Sequence, residues 1–114
     1  MEKPQKTAAE LFAAQALAMQ VKKELTENIL PYWINRMCRP EEGFYGRIDG
    51  MENHDLSAPV GNIMTARMLW TFASAYRLFK DQAYLDMALK AKNFIISRFY
   101  DAENGGTYWS LNPD

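Results

Sequence analysis

Residues 63–79 constrain the fold more than any other part of this chain, because a helix over them would be apolar on nearly every side. Such a helix is stable only when other elements cover it all round. Thr65, Arg67 and further polar residues interrupt the stretch, which excludes a membrane span. We therefore predict a central buried helix over residues 59–79, with Pro59 in its first turn.

Two amphipathic helices are predicted on either side of it. The first covers residues 8–37 and begins with the capping-box pair Thr7 and Glu10. Pro31 is expected to kink or end it. The second covers residues 81–99, with Asp81 as its N-cap. Their inner stripes are predicted to be Ala14, Ala18, Val21, Leu25 and Ile29 in the first, and Tyr84, Ala88, Ala91 and Ile95 in the second.

No period-two run exceeds a few residues, so the predicted fold class is all-α. About three long helices are joined by long irregular loops, above all residues 39–61, which are rich in turn formers. Residues 34–45 and 96–108 also resemble each other. Isoleucine, arginine, an apolar residue, glutamate and glycine recur at one offset, and the extra Gly106 brings Tyr45 and Tyr108 into line. This pattern predicts a repeated helix–loop unit whose two loops lie at the same rim.

Composition excludes several classes of function. The formal net charge of -1 leaves no basic surface for nucleic acid or an anionic membrane. The single cysteine, Cys38, excludes an intrachain disulfide, and neither a basic cluster nor a nearby histidine surrounds it in the sequence. No metal-ligand spacing or phosphate loop occurs, so no metal or cofactor is expected. The first residues have no signal-peptide core, which makes a cytoplasmic protein the expectation.

The candidate site consists of two aromatic, glycine-rich loops, residues 43–50 and 105–110. Aromatic rings bind the C–H faces of sugars, and charged groups bind their hydroxyls. The side chains that would do so are Tyr45, Arg47, Tyr108 and Trp109. Two alternatives stay open: the aromatics fill the loop bases, and Arg47 pairs with Asp49 or Glu42.

In the central helix, Arg67 is expected to form a structural ion pair, because a buried charge needs a partner. Trp70 is expected in the core, with a role as a ligand platform as the weaker alternative. His54, the only histidine, lies in a polar turn.

Four motifs then resemble, in their order, the N-terminal part of the cellobiose 2-epimerases, which belong with the N-acylglucosamine 2-epimerases. They are LTENILPYW at 25–33, GFYGRID at 43–49, ARMLWTFA at 66–73 with YRL at 76–78, and GGTYWS at 105–110. The resemblance implies that residues 1–114 form one incomplete segment of an (α/α)6 barrel, a closed ring of alternating inner and outer helices.

The resemblance also implies a reaction. It is the epimerisation of a reducing-end sugar, a mono- or disaccharide, at C2 through ring opening and an enediolate. Two histidines act as acid and base, and no nucleotide, flavin or metal is required. Arg47 would contact substrate and Tyr108 would lie at the cleft. The family's catalytic histidines fall outside this chain, and His54 cannot serve both faces of a sugar. We therefore predict no catalytic residue here and no activity of the chain alone.

Two other functions stay open from the sequence: a non-catalytic helical interaction or scaffold module, and part of an (α/α)-barrel glycoside hydrolase or lyase. Paired carboxylates would favour the latter, but Asp49, Asp55 and Asp101 are loop acids with no evident pairing. The apolar central helix further predicts a homo-oligomer. Its contact is expected near Met64, Met68, Leu69 and Phe72.

Overall fold

The structure is a computed structural model that describes residues 2–113. These residues fall into two compact units, one up to Arg36 and one from Met37 onward. Within them, the only ladder of paired strands is two residues long on each side. The predicted all-α architecture with at most scraps of strand is therefore confirmed.

The first unit is one helical run. Helix α1 (Ala8–Glu24) begins at the predicted capping box, in which the Thr7 hydroxyl accepts from the Glu10 amide and the Glu10 carboxylate accepts from the Thr7 amide. A π-helical turn (Leu25–Ile29), the short helix α2 (Leu30–Tyr32) and a second π-helical turn (Trp33–Met37) continue the run. Pro31 does not end it, since the helical run continues through Leu30–Tyr32 and into the second π-helical turn.

The predicted inner stripe of α1 is wrong for this structure. No residue of α1 is buried, and Val21 and Ile29 are exposed. The physical reason is that this unit contains a single helical run and no second layer that could cover it. The apolar pattern of α1 therefore has no partner within the unit.

The second unit is built on a helical hairpin. Helix α3 (Asn62–Phe79) ends at Lys80, which adopts a left-handed conformation at φ 55° and donates its N–H to the Tyr76 carbonyl. Helix α4 (Gln82–Phe94) then begins at Asp81, whose carboxylate accepts from the Ala83 amide as predicted. A π-helical turn (Ile95–Phe99) extends α4 to the predicted end.

Helix α3 begins three residues later than predicted. Strand β1 (Val60–Gly61) precedes it and pairs antiparallel with strand β2 (Ser110–Leu111). Below this ribbon lies a small core of Val60, Phe94 and Phe99, where the two phenylalanine rings meet edge to face at 5.3 Å. The ribbon thereby fixes the start of α3 against the end of α4.

The expectation that α3 is buried on every side is also wrong. One face is buried, with Thr65, Met68, Phe72 and Ala75, while the opposite face is exposed. Only α4 and the loops are available to cover it, so one side is left open. Met68 and Phe72 are thus unavailable for the predicted contact between copies. Self-association itself stays a prediction.

The repeat seen in the sequence is present as structure. Each copy ends a helix in a π-helical turn and then folds back through one antiparallel bridge, Cys38 to Phe44 in the first and Tyr100 to Thr107 in the second. The closing hydrogen bonds also correspond, since the Tyr45 amide donates to the Met37 carbonyl and the Tyr108 amide to the Phe99 carbonyl.

Candidate functional site

Residues 58–62 connect the two predicted site loops. A Cβ added to Gly46 would lie 2.1 Å from the Pro59 carbonyl oxygen, so the first loop touches this segment closely. The second loop is tied to the same segment at Asn62, whose amide donates to the Trp109 carbonyl and whose side chain donates to the Thr107 hydroxyl at 2.7 Å. The structure therefore brings both loops to the N-terminal end of α3.

Tyr45 is half-buried, and its ring is already engaged. The ring of His54 stacks on it with centroids 3.9 Å apart, and the Arg39 guanidinium lies 4.9 Å from the same ring. The alternative that this aromatic fills a loop base thus describes Tyr45 well. His54 is held by the stacking and by a backbone bridge to Ile48, and it is half-buried.

Arg47 is exposed and lies among carboxylates without a salt bridge. Backbone and side-chain hydrogen bonds from Asn53 hold the pKa of Asp49 below its usual value, and hydrogen bonds from Ser57 do the same for Asp55. The positive charge of Arg47 adds to both shifts. In the described residues Glu42 pairs instead with Arg98, at 3.2 Å. The alternative that Arg47 forms a salt bridge with Asp49 or Glu42 is therefore not met within residues 2–113.

In the second loop, Tyr108 and Trp109 are exposed by 47% and 77%. Hydrogen bonds from Asn104 are the main cause of the lowered pKa of Asp101. The Tyr108 side chain contributes to the lowered pKa of the Asp101 carboxyl. The loop thus presents two aromatic side chains on a backbone that is fixed at both ends, at Phe99 and at Asn62.

Sequence reasoning missed the open face of α3. Ile63, Arg67 and Trp70 follow each other at intervals of four and three residues, which places them on one side of the helix. All three are exposed, Trp70 by 72%, so its assignment to the core is wrong. Within residues 2–113 no ion pair or hydrogen bond engages the Arg67 side chain, so the expected structural ion pair is wrong as well. The spacing groups these residues on one face of the helix, but it does not say whether that face is covered.

A separate cavity of about 220 Å³ opens beside the ribbon. Its walls are Phe44, Val60, Phe94 and Leu111, with charged residues that include the Arg98–Glu42 pair at the rim. Nearby, the Lys90 ammonium lies 2.8 Å from the Cys38 sulfur, a basic neighbour that the sequence did not reveal. No group of three potential ligands could jointly hold a metal ion in the described part of the chain.

Comparison with known proteins places this arrangement among sugar epimerases. The family model described as D-glucuronyl C5-epimerase C-terminus matches residues 44–114. A cellobiose 2-epimerase of Bacteroides fragilis is 50% identical over 99 residues, which are 86% of this chain and 25% of that protein. A cellobiose 2-epimerase of Eubacterium cellulosolvens is 39% identical over 92 residues, 80% of this chain and 22% of that protein.

Solved structures agree. Cellobiose 2-epimerase from Spirochaeta thermophila matches with a TM-score of 0.84 at 36% identity, over 96% of this chain and 27% of that one. The enzyme from Bacillus thermoamylovorans matches with a TM-score of 0.82 at 32% identity, over 87% of this chain and 26% of that one. These structures are (α/α)6 barrels, which confirms the predicted fold class.

The chain therefore spans about a quarter of the length of the relatives that it matches. Among the helices of residues 2–113, none combines the length and apolar character that crossing a membrane requires.

Proposed function

The chain belongs to the family described as D-glucuronyl C5-epimerase C-terminus and is similar to the cellobiose 2-epimerases, and on that premise we propose that it forms one wall of a sugar cleft. The sugar is a reducing-end mono- or disaccharide of the cellobiose or N-acylglucosamine type, and the reaction inverts its C2. The wall binds and orients the sugar, while other parts of the barrel carry out the proton transfers.

The observation that carries this proposal is the open face of α3 beside the second loop. Asn62, in the first turn of α3, is bonded to the loop that holds Tyr108. Arg67 follows about 7–8 Å further along the helix axis, at 1.5 Å per residue. Trp70 lies on the same side of the helix as Arg67. An indole face against C–H groups and a guanidinium fork against hydroxyls are suited to a sugar ring.

Arg47 is the second candidate for a substrate contact. Its charge is shared with Asp49 and Asp55, whereas Arg67 has no carboxylate partner in the described residues. A ligand that binds Arg67 would therefore displace no carboxylate contact of that side chain within the described residues. Tyr108 is half-exposed, so its hydroxyl can donate to or accept from a sugar hydroxyl.

The acid and base are proposed to lie outside this chain. Inversion at C2 removes a proton from one face of the ring-opened sugar, which gives the enediolate, and then returns a proton to C2 from the opposite face. The single histidine, His54, has one ring face against Tyr45 at 3.9 Å. The isolated chain is therefore expected to show no epimerisation of cellobiose or glucose above background. Turnover that survives His54→Ala would overturn the argument that two histidines are needed.

A chimera tests the proposed wall. The chain would replace the matched 99 residues of the Bacteroides fragilis cellobiose 2-epimerase. We expect the chimera to epimerise cellobiose at C2, and Arg67→Ala to lower kcat/KM roughly 10- to 100-fold, the loss of one charged hydrogen bond. Arg47→Ala is expected to cost less. Arg77→Ala, about two turns beyond Trp70 on the same helix, serves as the matched control.

The outcomes are distinct. A chimera that folds cooperatively but leaves cellobiose and N-acylglucosamine unchanged would refute C2 chemistry for this wall. Inversion of a uronate at C5 in the same assay would instead favour the chemistry that the matching family model is named for. A loss confined to Arg47→Ala would transfer the contact from α3 to the first loop.

A further inference from the structure

Asn62 contacts the second loop at two points, one residue on either side of Tyr108. Its side-chain amide donates to the Thr107 hydroxyl at 2.7 Å, and its backbone amide donates to the Trp109 carbonyl at 3.0 Å. The side-chain bond joins residues that are 45 positions apart in the chain. Tyr108 is thus held between two hydrogen bonds to a single residue of another element.

Helix α3 itself does not account for the asparagine. At the start of a helix this residue type serves best as the N-cap, where its side chain bonds to a free amide of the first turn. The N-cap of α3 is Gly61, which makes no side-chain hydrogen bond, and the Asn62 side chain extends to the loop instead. Alanine suits a helical position better than asparagine does. The reason for an asparagine here therefore lies in the loop.

The other side of this loop is held by the residues that follow α4. The Tyr108 amide donates to the Phe99 carbonyl at 2.8 Å, and Thr107 forms an antiparallel bridge with Tyr100. The β1–β2 ribbon and Asn62 connect the same loop to α3, and Asn62 is the one that engages both neighbours of Tyr108. All of these residues belong to the second unit, so the arrangement is defined within one compact body.

We propose that Asn62 is a positioning residue for Tyr108, which it holds at a fixed place relative to the helix that carries Arg67 and Trp70. A sugar that contacts both the loop and α3 then meets a preformed surface and does not have to order the loop when it binds. The role in sugar binding rests on the proposed function, whereas the ordering of the loop does not.

The proposed role predicts an effect on binding and not on proton transfer. The proposed acid and base lie outside this chain, so the wall contacts the sugar equally before and during the reaction. Loss of the Asn62 side chain should therefore raise KM and leave kcat unchanged. A merely structural role would instead reduce the amount of folded enzyme, which lowers the apparent kcat and leaves KM as it is.

The 114-residue chain tests the ordering of the loop directly. Backbone ¹⁵N relaxation is measured at Thr107, Tyr108 and Trp109 in the parent chain and in Asn62→Ala. We expect the order parameters to fall from about 0.85, the value of rigid backbone, towards about 0.6 in the variant. Asn93→Ala, which removes the same side chain from the exposed surface of α4, is the matched control and should keep the parent values. An equally ordered loop in Asn62→Ala would overturn the proposal.

The chimera described under the proposed function tests the consequence for the sugar. Asn62→Ala should raise the KM for cellobiose about 5- to 10-fold, which corresponds to one hydrogen bond, and should change kcat less than about 2-fold. Thr107→Val should have the same effect, because it removes the hydroxyl, whereas Thr107→Ser keeps the hydroxyl and should retain the parent KM. In a Tyr108→Ala chimera, Asn62→Ala should have no further effect, because the positioning acts through Tyr108.

Positioning and the proposed function can fail separately. A lowered kcat with an unchanged KM, or additive losses in Asn62→Ala and Tyr108→Ala, would make Asn62 a structural residue only and overturn the proposal. A parent chimera that folds but does not epimerise cellobiose counts against the proposed function alone. The relaxation measurement on the chain then decides whether Asn62 orders Tyr108.

Discussion

Two glycines at equivalent places in the repeat show how much one side chain matters. Gly43 and Gly105 both have positive φ, +71° and +79°. A Cβ on Gly43 would lie 2.7 Å from the buried Phe94 ring, whereas a Cβ on Gly105 would meet nothing within 4 Å. Both positions need a left-handed backbone conformation, but only Gly43 lacks room for a side chain.

We therefore expect Gly105→Ala to lower the free energy of unfolding by about 1–2 kcal/mol, the cost of a left-handed non-glycine residue. Gly43→Ala should cost about 1–3 kcal/mol more, because Phe94 must move. Urea unfolding followed by tryptophan fluorescence measures both. Equal losses would show that the Phe94 ring shifts without cost and that only the backbone matters.

Single residues were predictable where the interaction is local. Thr7 with Glu10, and Asp81, bond to amides two or three residues away, so the sequence alone is enough to identify them. The contact between Lys90 and Cys38 joins residues 52 positions apart, and no local pattern signals it. The exposure of Arg67 was missed because the sequence does not say how many helices are present to cover α3.

At the scale of elements, three aspartates hold the loops together in the same way. Asp49, Asp55 and Asp101 each accept backbone N–H bonds from residues two to four positions further along the chain. These bonds favour the carboxylate, so each pKa lies below the ordinary 3.8. The turns that carry Arg47 and Tyr108 are thereby linked to the ionisation of these groups.

The lowered pKa values predict how stability depends on pH. An aspartate with a lowered folded-state pKa contributes stability that is complete above its unfolded pKa, near 3.8, and is lost as pH falls through the folded value. We expect Asp101→Asn to lower the melting temperature at pH 7 and to flatten its decline below about pH 4. Thermal melts followed by circular dichroism between pH 7 and pH 2 measure this. An unchanged acid limb in the variant would contradict the assigned role.

Element boundaries were predicted closely where periodicity and caps agree, and less well where the tertiary structure decides. The helical run 8–37 and the end at residue 99 agree with the prediction. Helix α3 begins at residue 62 and not at the predicted residue 59, because the preceding residues form β1, which pairs with a strand about 50 residues later. Turn-former content predicted the irregular loops, but not that Gly46 would approach the Pro59 carbonyl.

At the scale of the whole molecule, the apolar pattern of the sequence requires more packing partners than the described residues provide. A helix over residues 63–79 would be apolar all round yet is covered on one face only, and the relatives are about three and a half times as long as this chain. Two amphipathic helices can cover only part of such a helix, which is why the same pattern also predicted self-association. The pattern and the one-sided burial agree once the remaining helices of the barrel are counted.

The difference in cover between α1 and α4 can be measured by hydrogen exchange. Helix α1 has no buried residue, so its amides should open locally at little cost and exchange within seconds to minutes in the isolated chain. The amides of α4 around Ala88 and Ala91, which are buried against α3, should exchange much more slowly. Slow exchange of α1 in the isolated chain would mean that the helix is already covered, and would contradict the exposure of its apolar side chains.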